Sequence, residues 1–224
     1  RWLSHAPATT VVTVALTLMS ATYWVWRDQF SVLEASPSAS HWWSIFSSVG
    51  AVPGHFLATA VLGIATMIVA GGAAERHLGT RVWIAAALAG QVVGVTATWA
   101  TLPLLKRAIT EWGQAIGEGT LWGTSLMLIA LAGAAVQSLG ARWRWRARFL
   151  LIGILALSSA ILGSAISYAR VWALLAGMIA ARLLGVRGSN SETTDEVTLG
   201  RQFASIAALC WACAAALTVV SSAP

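Results

Sequence analysis

The sequence predicts an all-α fold, a polytopic membrane protein built from transmembrane helices. Of the 224 residues, 58% are hydrophobic and only 10% are charged. A soluble domain is about one quarter charged, because it needs a polar shell. Thirteen Trp residues against two Tyr supply amphipathic rings that favour the headgroup region. Several apolar runs also reach the length of about 20 residues that a spanning helix needs.

Seven apolar runs qualify as spans of a single domain over residues 1–224. They are 7–26, 51–72, 82–103, 121–139, 149–166, 171–186 and 202–220. The second span is expected to end at a Gly-Gly-Ala-Ala hinge before Glu75, and the third is expected to stop at Pro103. The first run lacks a small-residue cleavage site, so we interpret it as a span and not as a removable signal peptide.

The connections between the spans differ in character. Residues 27–50 include His41-Trp42-Trp43-Ser44-Ile45-Phe46, which is too short to span and too apolar for water, so this loop is expected to lie in the membrane interface. The connection 104–120 predicts a second interfacial helix. Its apolar residues share one face at helical spacing: Leu104, Leu105, Ile109, Trp112 and Ile116. Residues 187–201 are polar and form the predicted cytoplasmic linker.

The basic residues predict the orientation. With seven alternating spans and a cytoplasmic N-terminus, ten basic residues fall on the cytoplasmic side and four on the other. The ten are Arg1, Arg76, Arg81, Arg142, Arg144, Arg146, Arg148, Arg182, Arg187 and Arg201, and the four are Arg27, Lys106, Arg107 and Arg170. This asymmetry places the N-terminus inside and the C-terminus outside. A multi-pass protein of a bacterial cell membrane is expected, and the net charge of +6 does not indicate nucleic-acid binding.

Polar residues inside predicted spans carry the functional information, because lipid makes them costly. His55 lies near the outer end of the second span, and Thr59 follows on the same helical face. Ser125 opens the fourth span. Gln91 lies inside the third span, and Arg170 lies where the sixth is predicted to begin.

Three stretches resemble the rhomboid intramembrane serine proteases. Trp43-Ser44-Ile45-Phe46-Ser47-Ser48 and His55-Phe56-Leu57-Ala58-Thr59 resemble the family's Trp-Arg-Leu-Leu-Thr and His-Leu-Leu-Phe-Asn. Glu75-Arg76-His77-Leu78-Gly79-Thr80 resembles Glu-Arg-x-Leu-Gly-Ser. Gly123-Thr124-Ser125-Leu126 resembles Gly-x-Ser-Gly. The resemblance implies a rhomboid-like bundle of six plus one transmembrane helices, with Ser125 at the nucleophile position.

The chain departs from this family where catalysis needs a base. A serine hydroxyl is a poor nucleophile without one, and the family supplies a histidine from the sixth span in His-x-x-Gly-x-x-x-Gly. The matching stretch here, ending at Gly177, offers either Arg170 or Leu174 at that position. Thr59 stands at the asparagine that donates to the oxyanion, and loss of such a donor raises the barrier by roughly 3–4 kcal/mol.

Ordinary structural roles compete with catalytic ones at each position. A serine at a helix start is more often a cap, so Ser125 is expected to cap or pack. His55 is expected to bond a carbonyl oxygen at the interface, and Arg170 to extend to the headgroups. The cluster Arg142–Arg148 is expected to anchor the topology, with anionic lipid binding as the alternative. Cys210 and Cys213 are interpreted as packing residues, so neither a metal nor a cofactor is expected.

We therefore predict a membrane pseudoprotease with membrane lipids and the transmembrane helices of partner or client proteins as its partners. One alternative is an active intramembrane serine protease in which Ser125 is the nucleophile, His55 is a non-standard base and Thr59 contributes to a weak oxyanion hole. A transporter or channel is disfavoured, because charges inside the spans are nearly absent and no pair of half-helices is evident.

Overall fold

The computed structural model describes residues 6–25, 63–118, 121 and 124–186. Every regular element in these ranges is helical, which confirms the all-α prediction. The elements are α1 (Pro7–Val25), a π-helical turn (Met67–Gly71), α2 (Gly72–Leu78), α3 (Thr80–Ala108), α4 (Thr110–Glu118), α5 (Ser125–Gln137), α6 (Ala141–Leu162) and α7 (Ala165–Leu183). The predicted loop 27–50, the linker 187–201, the last span 202–220 and its two cysteines lie outside the described residues.

Three of these helices are long and apolar enough to cross a membrane. They are Thr80–Ala108, Trp143–Leu162 and Ala165–Leu183, and two shorter apolar helices cover Pro7–Thr22 and Ser125–Gln137. This length and composition agree with the predicted membrane protein.

Helices α3, α5 and α7 form the centre of the bundle. Helix α5 runs antiparallel to α3, because Gly94 of α3 faces Leu126 while Gly90 faces Ala130. Helices α5 and α7 run parallel. Ser125 contacts Arg170, and further along both helices Ala130 contacts Gly177. The N-termini of α5 and α7 therefore lie at the same end of the bundle.

Small residues bring these three helices into backbone contact. A Cβ atom added to Gly177 would overlap the carbonyl oxygen of Ala130, and one added to Gly133 would overlap the carbonyl oxygen of Leu174. In lipid, apolar burial does not drive helices together, so association depends on such close packing.

Helix α6 begins eight residues before the predicted fifth span, which covers 149–166. It starts at Ala141, so the arginine cluster lies in its first two turns and not in a connection. The helix extends this far because its first turns contain several arginines, and arginine is a good helix former. Gly140 is the N-cap. Only 11% of its apolar window is buried, so most of its surface is left for lipid or for another helix.

The prediction that the third span stops at Pro103 is wrong, because α3 continues to Ala108. A proline inside a helix costs about 3 kcal/mol. Tertiary contacts offset that cost here: Leu102 is buried, and Leu105 packs in the same cluster as Ile116 of α4.

The predicted hinge before Glu75 is also wrong, because the chain stays helical from residue 63 to Leu78. The Gly-Gly pair lies where a π-helical turn passes into α2. The indole N–H of buried Trp83 donates to the carbonyl oxygen of Gly71 at 2.9 Å. This bond satisfies a carbonyl that irregular helix geometry leaves available, which stabilises the turn.

The connection 104–120 does contain a separate helix, α4, but its apolar residues do not share one face. Leu104 belongs to α3 and is 64% exposed, whereas Ile116 is fully buried. The helix axis breaks at Ile109, whose φ of −140° and ψ of 86° are not helical. The indole N–H of Trp112 donates to the carbonyl oxygen of Ser159 at 3.3 Å, which fastens α4 to α6.

Candidate functional site

Ser125 is the first residue of α5. The N-cap is Thr124, and no side chain makes a capping hydrogen bond there. Of the two structural roles expected for Ser125, capping is therefore wrong and packing is left. Its side chain is half-buried, and its hydroxyl points to a neighbouring helix instead of to its own backbone.

Arg170 lies inside α7, five residues after its start. The sequence predicts a span from residue 171, but α7 begins at Ala165 because Ser164 caps it. The Ser164 hydroxyl oxygen accepts from the Ser167 amide at 3.3 Å. This cap residue opens the stretch Ser164-Ala165-Ile166-Ser167, which the prediction assigned to the preceding span and its connection.

The structure brings Arg170 and Ser125 together. The Nε of Arg170 donates to the Oγ of Ser125 at 3.4 Å, which is long for an N–H···O bond. Arg170 is 9% exposed, so the expectation that it extends to the headgroups is wrong. The parallel packing of α5 and α7 draws its side chain back toward the start of α5.

Arg170, and not Leu174, is the residue that faces Ser125. Leu174 lies one turn further along α7, where its carbonyl oxygen meets Gly133. Of the two residues that the sequence leaves open for the position opposite Ser125, the structure selects the arginine. A guanidinium has five N–H donors and no acceptor, and it keeps its protons at neutral pH. It cannot take a proton from Ser125.

The nearest imidazole that the structure describes belongs to His77, at the other end of α5. Its Nε2 lies 2.8 Å from the Oγ of Ser138, the residue that follows α5. A helix of 13 residues is about 20 Å long, so His77 lies far from Ser125. The candidate positions His55 and Thr59, together with His5 and His41, lie outside the described residues.

Glu75 forms a second polar site, at the cytoplasmic end of the predicted topology. It is 2% exposed, although it is a carboxylate. Its Oε1 accepts from the Ala8 amide and from the Thr80 hydroxyl, both at 2.9 Å, and its Oε2 accepts from the Thr9 amide at 2.7 Å. Gly79 makes the turn between Glu75 and Thr80 with a φ of +80°, which favours glycine. Sequence reasoning found Glu75 only as part of a motif.

The charge of Glu75 is stabilised by these bonds. Burial raises the pKa of the Glu75 carboxyl, but the amides of Thr9 and Ala8 and the hydroxyl of Thr80 lower it more, so the pKa lies below its ordinary value. Two of the donors are amides in the first turn of α1, which have no acceptor within the helix. A negative charge is favourable at this end of a helix. Glu75 therefore joins α1 to α2 as an ionised acceptor.

No group of three potential metal ligands comes together in the parts of the chain that the structure describes. Some polar residues near the bundle centre are instead bonded to helix backbone or to each other. Thr98, for example, donates to the carbonyl oxygen of Gly94 at 2.7 Å, and the Tyr168 hydroxyl donates to Thr101 at 3.0 Å.

Comparison with known proteins finds no relative of this chain. No protein-family model, no curated protein and no solved structure matches the chain. The functional interpretation therefore depends on the residues and on the geometry described above.

Proposed function

We propose that this chain is a rhomboid-like membrane pseudoprotease, with six plus one spans, a cytoplasmic N-terminus and an extracytoplasmic C-terminus. It binds transmembrane segments of client or partner proteins and does not cleave them. The contact between the Nε of Arg170 and the Oγ of Ser125 at 3.4 Å is the observation that carries this proposal.

The chemistry of that contact supports a non-catalytic role. In the rhomboid resemblance, Ser125 occupies the nucleophile position and the sixth span supplies its base. The residue at that place is Arg170, which donates hydrogen bonds and accepts none. A serine without an adjacent base is weakly nucleophilic, so the proposed scaffold binds helices without a catalytic dyad.

The Glu75 site supports the rhomboid-like part of the proposal. The stretch from Glu75 to Thr80 resembles a family motif. It makes a turn in which the carboxylate accepts from two amides of α1 and from the hydroxyl of Thr80. The conformation of Gly79 fits the glycine of that motif.

The exposed surface of α6 supports a lateral binding groove beside the second and fifth spans. Phe149, Leu150, Leu157 and Ile161 are each more than 60% exposed, and α6 packs mainly against α7. A helix with this much exposed apolar surface gives a client helix a place to dock from the lipid.

A crosslinking and cleavage experiment tests the proposal. The full chain is reconstituted in nanodiscs with a transmembrane peptide that carries a photo-crosslinking group, and both adduct and fragments are measured by mass spectrometry. We expect adducts of equal yield for the parent and for Ser125→Ala, with no fragments from either. Fragments from the parent that disappear in Ser125→Ala would establish an active protease instead.

The same experiment also tests binding itself. A scrambled, water-soluble peptide with the same photoreactive group serves as the control for non-specific capture. If the transmembrane peptide gives no more adduct than this control, the protein does not bind client helices and the proposal is wrong.

A further inference from the structure

Arg170 is a charged side chain without a counter-ion in the described part of the chain. It is nine-tenths buried, and its one bond there is the long contact from Nε to Ser125. The remaining N–H donors of its guanidinium have no partner among the described residues. A buried charge inside a membrane protein is costly and marks a functional site by default.

The start of α5 brings further N–H donors to the same place, and no bond within the helix uses them. Thr124 makes no side-chain capping bond, and the first helical bond runs from the Leu128 amide to the Thr124 carbonyl oxygen at 3.1 Å. The amides of Ser125, Leu126 and Met127 precede that bond, so the helix does not satisfy them. Helix N-termini carry a partial positive charge and bind anions.

These donors lie close to Ser125, at the start of α5. The guanidinium, the hydroxyl and the N-terminal amides of a 13-residue helix all favour a negative group, and Ser125 and Thr124 are only half-buried. A carboxylate fits this set best among side chains, because its two oxygens match the planar fork of arginine.

The depth of the site separates two sources of anion. Arg170 lies five residues after the start of α7, which places its Cα about 7.5 Å into the helix. A lipid phosphate stays in the headgroup layer, whereas a residue of a transmembrane helix can present its side chain at this depth. An acidic residue inside a span is costly, at about 2.5–3.5 kcal/mol for an aspartate at mid-span. Pairing with Arg170 offsets part of that cost.

We infer that Arg170, Ser125 and the N-terminus of α5 form a carboxylate-binding site that selects client transmembrane helices carrying an acidic residue in their outer half. The inference depends on the proposed function, because it names the clients of that groove. The acidic residue ion-pairs with Arg170, which neutralises both charges inside the membrane. Clients without an acidic residue bind in the same groove more weakly.

A pair of synthetic transmembrane peptides tests this selection. They are identical except for one Glu or Gln in the outer third, and their binding to the full chain in nanodiscs is measured by fluorescence. We expect the Glu peptide to bind about tenfold or more tightly than the Gln peptide, as for hydrogen bonds to charged groups. Arg170→Gln should abolish the difference, and Arg170→Lys should retain part of it.

The matched control is Arg182→Gln, which removes an exposed arginine near the other end of the same helix. It should leave the Glu preference unchanged. Thermal unfolding of each variant shows whether it folds. If Arg170→Gln does not fold, Arg170→Lys and the pair of peptides on the parent protein decide the question.

The outcomes separate this inference from the proposed function. Equal affinity of the two peptides for the parent overturns the carboxylate site and leaves client binding intact, whereas no binding of either peptide overturns both. A Glu preference that persists in Arg170→Gln places the site elsewhere and overturns the inference. The inference also fails if the peptides bind equally while Arg170→Gln reduces the binding of phosphatidylglycerol in nanodiscs that contain it, since the site then holds a lipid phosphate.

Discussion

Gly177→Ala is expected to disrupt the packing of α5 against α7. The added methyl group overlaps the backbone carbonyl of Ala130, and a backbone atom cannot move aside as a flexible side chain can. Overpacking costs about 1–3 kcal/mol or more, and it separates the two helices that carry Ser125 and Arg170. In detergent, we expect a lower unfolding temperature and a smaller monodisperse fraction by size-exclusion chromatography.

Gly153→Ala is the matched control, because a Cβ atom at this α6 position meets nothing within 4 Å. Alanine is a better helix former than glycine by about 1 kcal/mol, so this variant should be as stable as the parent or more stable. The two substitutions are chemically identical, and their opposite signs follow from packing alone. Equal effects at both positions would contradict the close approach of α5 and α7.

Glu75→Ala is expected to release the N-terminus of α1 from α2. The change leaves two buried amides and the Thr80 hydroxyl without their acceptor. Each unsatisfied donor costs about 1–3 kcal/mol, so we expect the free energy of unfolding to fall by about 3 kcal/mol or more. For a chain of this size the unfolding temperature should fall by roughly 10 °C.

The exposed acid Glu111 provides the control, and Glu111→Ala should leave stability almost unchanged. The pH dependence gives a second measurement. The folded pKa of Glu75 is lowered from an ordinary value of 4.5, so its contribution is complete above that value and is lost as the pH falls through the folded pKa. Glu75→Gln should flatten this acid dependence, and an unchanged acid transition would show that Glu75 does not anchor α1.

The sequence predicted the helices better than their ends. The apolar runs located α1, α3, α5, α6 and α7, because length and hydropathy are properties of a single segment. Their boundaries depended on contacts that hydropathy does not contain. Pro103 stays helical because of Leu102 and Leu105, and α7 starts early because Ser164 caps it. The Ser164 cap is a local sequence signal, but hydropathy alone does not detect it.

The candidate site was predicted only in part. The sequence singled out Ser125 and Arg170 and left Leu174 as an alternative, since helical spacing alone does not fix how two helices align. The alignment comes from Gly133 and Gly177, which let α5 and α7 meet at one offset. Glu75 was noted in a motif, but its bonds to α1 join residues about 67 positions apart, a distance that no local pattern encodes.

The central claim is that Ser125 has no base, and reaction with a fluorophosphonate probe tests it most directly. The parent and Ser125→Ala are incubated with the probe in nanodiscs, and the labelled peptide is quantified by mass spectrometry. An active rhomboid protease is the positive control. We expect the parent to show no more label at residue 125 than Ser125→Ala, because an arginine faces the hydroxyl. Labelling of Ser125 in the parent that Ser125→Ala abolishes would contradict the account.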